Sequence, residues 1–133
     1  VLYRSADGMT DFEEGPNLFV PEMRHSAVVV RNEQLHVFWT RVGDAPESIL
    51  HSTIDLDGEW STWIASEPEV VLRPEHEWEG ADAPLEPSER SVAHGHVNQL
   101  RDPAVFDDVD GRGYLLYAVA GESGIAVAEI DWE

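Results

Sequence analysis

Six histidines, 27 acidic residues and eight arginines carry most of the ionisable chemistry of this 133-residue chain, which has neither lysine nor cysteine. The densest grouping is His94-Gly95-His96, with His76 and several carboxylates before it. Imidazole suits zinc, copper or nickel. Two histidines at i and i+2 on an irregular stretch lack a third fixed ligand, so His94 and His96 read better as polar groups at a pocket edge, and no metal or cofactor is expected. Trp78-Glu79-Gly80-Ala81-Asp82 offers an aromatic ring and carboxylates of the kind on which a sugar face stacks. The competing reading is that Trp78 only anchors its loop. Asp107-Asp108-Val109-Asp110-Gly111 and Asp55-Leu56-Asp57-Gly58 place oxygen donors beside a glycine. Without the spacing and closing Glu of an EF-hand they read as hairpin turns. No Gly-rich phosphate loop, nucleophile elbow or zinc-protease helix is present.

The elements that must position these groups are strands. Residues 25–30, 34–40, 48–54 and 60–64 are short β-rich runs separated by turn material at 31–33, 42–46 and 57–58, which predicts a four-stranded antiparallel meander. Residues 103–106, 113–119 and 124–130 predict three more strands. The two sets repeat each other: Met23-Arg24-His25-Ser26-Ala27-Val28 matches Leu100-Arg101-Asp102-Pro103-Ala104-Val105, and residues 49–55 match 125–131. Val1 to Gly8 reads as the third strand of a preceding unit, with a fourth near Asn17-Leu18-Phe19-Val20. Repeated four-stranded units are the signature of a β-propeller. The expected fold is therefore all-β, with about two and a half blades per chain: the end of one blade at 1–22, a full blade at 23–73, a long inter-blade loop at 74–98 and the start of a third blade at 99–133. Trp39, Trp60, Trp63, Tyr114 and Tyr117 are expected in the inter-blade core.

Composition narrows the partners. A formal charge of −19 disfavours nucleic acid and anionic membranes, which both need cationic groups. No apolar run reaches the length of a membrane span. Cysteine usage gives no redox compartment, and localisation stays open, with the cytoplasm slightly favoured over export. A propeller closes with about four or more blades. Either the chain is a piece of a longer protein, or it closes by pairing; two copies would supply about five blades, and a homodimer is the expectation.

Leu100-Arg101-Asp102-Pro103-Ala104-Val105-Phe106, followed by Asp110-Gly111-Arg112 and Tyr114-Leu115-Leu116-Tyr117, resembles the five-bladed propellers of glycoside hydrolase families 43 and 32, over about residues 22 to 133. In those families an Arg-Asp-Pro triplet opens the first strand of a blade. The resemblance implies Asp102 on a central channel, with Glu122 as the nearby candidate for the acid, and a carbohydrate as ligand. Glycosidic cleavage needs two carboxyl groups at a set separation. The matching start of the preceding blade is His25, not a carboxylate, and the family's early-blade base has no counterpart. The expected substrate-binding residues are Arg24, His25, Trp78, His94, His96, Asn98 and Arg101. Two functions follow as expectations: a glycosidase-like pocket that binds a carbohydrate, with hydrolysis only if the missing carboxylates are supplied, or a non-catalytic, self-assembling module.

Overall fold

The computed structural model describes residues 1–132. Two short strands, β1 (Tyr3–Arg4) and β2 (Glu13–Glu14), form a hairpin. The second sheet contains β3 (Met23–Arg31), β4 (Gln34–Arg41), β5 (Ile49–Asp55) and β6 (Glu69–Leu72) in that order. The third contains β7 (Arg101–Asp107), β8 (Gly113–Val119) and β9 (Gly124–Ile130). Every strand pairing within the sheets is antiparallel. The fold is all-β, and among the described residues the three sheets do not close into a ring.

Alternation explains the strands. In β8, Gly113, Leu115, Tyr117 and Val119 are buried while Tyr114, Leu116 and Ala118 are less so, the period-2 pattern of a sheet with one face packed. The β3–β4 turn uses Asn32 and Glu33, both at positive φ (49° and 62°). This is the backbone of a type I′ turn, whose twist matches the strands that it joins.

Two of the sequence expectations need correction. The fourth strand of the second sheet is β6, not 60–64. Trp60–Thr62 instead forms a 3-10 turn, closed by Thr62 N–H to Glu59 O and Trp63 N–H to Trp60 O. Arg4 lies 4.0 Å above the Trp60 ring, and Trp63 Nε1 donates to Asp57 O. Neither indole enters the inter-sheet core. At the N-terminus, β1 pairs with β2 rather than with residues 17–20; Leu18 and Phe19 instead pack on the second sheet.

The second and third sheets stack face to face, with β3 against β7. Phe38 and Ile49 meet Leu100, Leu115, Tyr117 and Val119 in one apolar cluster. On the opposite face of the second sheet, Val37, Trp39, Leu50 and Ile54 form another, covered by Leu18, Phe19, Met23 and Trp63. The stretch 74–98 has no strand but is tightly held. Glu77–Glu79 makes a 3-10 turn ended by Gly80 at φ 95°, where a side chain would collide with the Val97 carbonyl. The buried Glu79 carboxylate accepts the backbone N–H of Glu75 (2.9 Å) and His76 (3.1 Å) and the Tyr117 hydroxyl (3.1 Å). Burial, and then the Glu79 charge, push the Tyr117 hydroxyl up to about 12.

A cleft of about 400 Å³ opens between the outer parts of the two stacked sheets, lined by His36, Phe38, His51, Glu69 and Trp132. The imidazoles of His36 and His51 stack, with Nδ1 of the first 3.0 Å from Nε2 of the second. Burial, and then Arg31, lowers the pKa of His36. For His51 burial leads, His36 adds to it, and Glu69 opposes it. Folded-state values below the ordinary 6.5 mean that the unfolded chain takes up protons that the folded one refuses. This contribution to stability is complete above the unfolded pKa and is lost as pH falls from there towards the folded values. Relief of acidic self-repulsion acts in the opposite direction, but equally in a single-site variant. His51→Gln is therefore expected to show a smaller loss of stability than wild type between about pH 7.5 and about pH 5.5, read from urea midpoints. Identical pH slopes in the two proteins would refute this account of the pair.

Candidate functional site

The site is built where β3 and β7 begin. Each strand carries an arginine followed by a residue in the left-handed region: Arg24 then His25 (φ 48°) on β3, Arg101 then Asp102 (φ 47°) on β7. The pairing register shifts at the same place in both, between Arg24 and Ala27 and between Arg101 and Ala104. These are equivalent bulges in two repeated strands. A bulge re-aims a side chain, and a non-glycine residue held there at positive φ stores roughly 1–3 kcal/mol.

Both arginines turn inward onto one carboxylate. Glu47, fully buried before β5, accepts from Arg24 Nε at 2.9 Å and from Arg24 Nη2 at 2.5 Å. Arg101 Nε lies 3.7 Å from the same carboxylate. Arg101, itself buried, also donates to Gln99 Oε1 from Nε at 3.0 Å, and from Nη1 to Ser91 O at 3.0 Å and Glu122 Oε1 at 2.9 Å. Arg24 Nη1 donates to Glu89 O at 3.1 Å. The two guanidinium groups thereby hold the end of the 74–98 stretch against both sheets.

The residues after the arginines face each other. His25 Nε2 lies 3.4 Å from Asp102 Oδ1, and His25 Nδ1 lies 3.3 Å from the hydroxyl of the buried Thr40. The neutral tautomer that suits both carries its proton on Nε2, towards the carboxylate, and accepts the Thr40 hydroxyl at Nδ1. Burial is the main cause that lowers the His25 pKa; Asp102 raises it and Arg24 lowers it further. Asp102 remains half exposed. Glu122, in the β8–β9 turn, accepts the backbone N–H of Ala93 at 3.3 Å. That bond, and then Arg101, hold its carboxyl below the ordinary value.

Of the residues predicted from the sequence, Arg24, His25, Arg101, Asp102 and Glu122 thus come together. His94, His96 and Asn98 line an adjoining cleft of about 460 Å³ that Arg101 also borders. There His96 Nε2 contacts Asp82 Oδ1 at 2.6 Å, while Asn98 donates to Ala83 O and leaves its own Oδ1 buried without a partner. Trp78 lines a different cleft, with Arg73 and Tyr117, and stacks on His76 at 5.4 Å. Among the described residues, no group of three or more His, Cys, Asp or Glu side chains could hold a metal ion. Glu47 and Gln99 escaped the sequence reading. The available signal was the pair of arginines at repeat-equivalent positions, each of which needs a carboxylate if buried; which of 27 acids supplies it has no local mark.

No family model matches the chain, and no solved structure does. The chain is similar to an uncharacterised protein of Acanthamoeba polyphaga mimivirus, 39% identical over 150 aligned residues that take in 99% of this chain and 42% of the viral protein. It therefore spans less than half the length of that curated relative. The resemblance to glycoside hydrolase families 43 and 32 is overturned by these findings together with the open arrangement of the 2-, 4- and 3-stranded sheets. The Arg-Asp-Pro triplet has a local explanation instead: Arg101 is a buried structural cation, and Asp102 and Pro103 form the bulge beside it.

Removing the charge of Glu47 leaves two guanidinium groups without their shared counter-ion. Glu47→Gln is expected to cost about 3 kcal/mol or more of unfolding free energy, measured by urea denaturation. A loss below about 1 kcal/mol, the range of an exposed ion pair, would show that the arginines do not depend on it.

Proposed function

We propose that the chain binds a neutral carbohydrate at the partly exposed His25–Asp102 pair without cleaving it, and that the two stacked meanders are consecutive blades of a β-propeller. The observation that carries the binding reading is the pair itself, an imidazole nitrogen and a carboxylate oxygen 3.4 Å apart. The equivalent left-handed bulges of two strands aim both groups at one place. The nearby cations are consumed internally, because Arg24 and Arg101 are bonded to Glu47, Gln99 and Glu122. With a chain charge of −19, an anionic ligand is disfavoured. Sugar hydroxyls, which donate to carboxylates, fit the half-exposed Asp102 that remains. The adjoining cleft of about 460 Å³, lined by His94, His96 and Asn98, has room for further rings of a chain.

Binding without turnover is favoured by Glu122. Cleavage of a glycosidic bond needs one carboxyl group protonated as the acid. The Ala93 N–H and the Arg101 guanidinium both favour the ionised form of Glu122, so it is a poor proton donor near neutrality. Thr40, the hydroxyl beside His25, is fully buried and out of reach as a nucleophile. The blade reading is supported by the stacking of β3 on β7 and by the repeat of the bulges.

Asp102→Asn gives a clean test, because asparagine tolerates positive φ and keeps the shape of the side chain. In a glycan screen followed by calorimetry, wild type is expected to bind a neutral oligosaccharide. The variant is expected to bind it at least tenfold more weakly, about 1.4 kcal/mol, with an unfolding midpoint within about 3 °C of wild type. Absence of sugar binding by wild type, or equal binding by the variant, would reject the site. Release of reducing ends would reject the non-cleaving role.

A further inference from the structure

The space between the two stacked sheets is filled unevenly. Phe38, Ile49, Leu100, Leu115, Tyr117 and Val119 close one part of it. Towards the same space β9 turns Ala126 and Ala128, whose methyl groups leave room that longer side chains would fill. Ala128 lines the cleft of about 400 Å³ beside the His36–His51 pair, and its short side chain is the local reason that the cleft is there. The volume lies towards the lower end of the range, about 300–1,000 Å³, of pockets that hold small molecules.

This cleft joins a deep apolar part to an anionic rim. Phe38 and Leu115 of its lining are buried, and Ile130 and Trp132 are half-buried. Glu69, Glu129 and Asp131 are exposed, and no arginine stands among the described lining residues. Glu69 pairs with His51 across β5 and β6. Burial leads in holding His36 and His51 below the ordinary imidazole value, so at neutral pH the pair adds little positive charge to offset the carboxylates. The nearby arginines are engaged elsewhere. Arg31, 4.5 Å above the Trp132 ring, donates to Asp107 at 3.1 Å and to Gly111 O at 3.2 Å. Arg112, which lies near Glu129, donates to Asp110 at 2.8 Å.

We propose that this inter-sheet cleft is a second binding site, and that it takes a small organic cation, a primary ammonium carried on an aromatic or branched apolar body. The body fills the space that Ala128 leaves, against Phe38, Leu115 and Trp132, and is withdrawn from water there. The ammonium stays at the rim, where Glu69 is the carboxylate beside the imidazole pair. Since Arg31 already covers the Trp132 ring, the rim carboxylates and not that ring hold the positive charge. The chain charge of −19 raises the local concentration of any cation, and a cleft with apolar walls focuses that field. None of the lining residues belongs to the His25–Asp102 site, so failure of sugar binding leaves this site standing, and the reverse.

Calorimetry on the 133-residue chain with phenethylammonium, its uncharged analogue phenethyl alcohol and the anion hydrocinnamate reads this directly. At about 0.15 M salt, where charges more than about 8 Å apart are largely screened, phenethylammonium is expected to bind about tenfold more tightly than the alcohol, about 1.4 kcal/mol. Hydrocinnamate is expected not to bind. Glu69→Gln is expected to weaken phenethylammonium about fivefold, the upper range of an exposed ion pair. Glu22→Gln changes the net charge equally from an exposed position outside the cleft and is expected to leave the affinity unchanged. Ala128→Leu, which fills the space, is expected to abolish binding; should it not fold, the exposed Glu69 variant carries the same test. The Trp132 indole N–H, buried without a partner, is expected to shift in NMR spectra during the titration. Equal affinity for the ammonium and the alcohol, equal losses in the Glu22 and Glu69 variants, binding that survives in a folded Ala128→Leu, or a Trp132 resonance unmoved at saturation would overturn the proposal.

Discussion

The carboxylate of Glu47 is the interaction on which the rest of the arrangement depends. It lies fully buried where β3, β5 and β7 converge, and two guanidinium groups from repeat-equivalent positions point at it. A buried ion costs several kcal/mol in lost hydration unless its partners are close and its remaining hydrogen-bond positions are filled. Here they are filled: Arg101 reaches Gln99, Ser91 and Glu122, and Arg24 reaches Glu89. This network locks the strand starts at a set separation. The two left-handed bulges then have only one way to project, outward and towards each other, which brings His25 and Asp102 together.

The same economy of charge explains the long stretch between the sheets. Its residues build no strand, yet towards both ends it is tied to the sheets by polar contacts. Glu79 satisfies two backbone donors and the Tyr117 hydroxyl at one end. The carbonyls of Glu89 and Ser91 meet the two arginines at the other. An acidic chain with few cations has thus placed Arg24 and Arg101 where each joins several segments. The acidic surplus stays on the surface, where solvent and salt screen it. The consequence for function is a site whose two arginines are both paired, bordered by the carboxylates of Asp102 and Glu122 and the imidazole of His25.

The legibility of these features in the sequence followed the range of the forces involved. Residues 113–119 and 124–130 read as strands and are strands with those bounds, because their alternation is a local pattern. The repeat placed His25 and Asp102 at equivalent positions for the same reason. Residues 60–64 carry strand-forming types but turn instead, since the Trp60 ring packs under Arg4 and the Trp63 indole reaches back to Asp57. Residues 17–20 likewise give up strand pairing to cover Trp39, with Phe19 edge-on at 5.4 Å. In both cases a large side chain had a burial opportunity on another segment, and burial outweighs the small preference of a short run for strand. The Arg-Asp-Pro triplet misled for a related reason: three residues suffice to make a bulge, and a bulge by itself does not specify a family.

By itself, the sequence determined the all-β class, the seven principal strands apart from β6, the two-unit repeat, and a surface too acidic for anionic partners. These depend on periodicity, turn chemistry and composition, which are sums over near neighbours. Only the tertiary structure decided that Glu47, among 27 acids, is the buried counter-ion, that His25 and Asp102 face each other, and that Trp78 stands in a different cleft. Each of these depends on which distant segments come within a few ångströms. That is set by the stacking of whole sheets and the burial of charge between them, for which no residue carries a local mark.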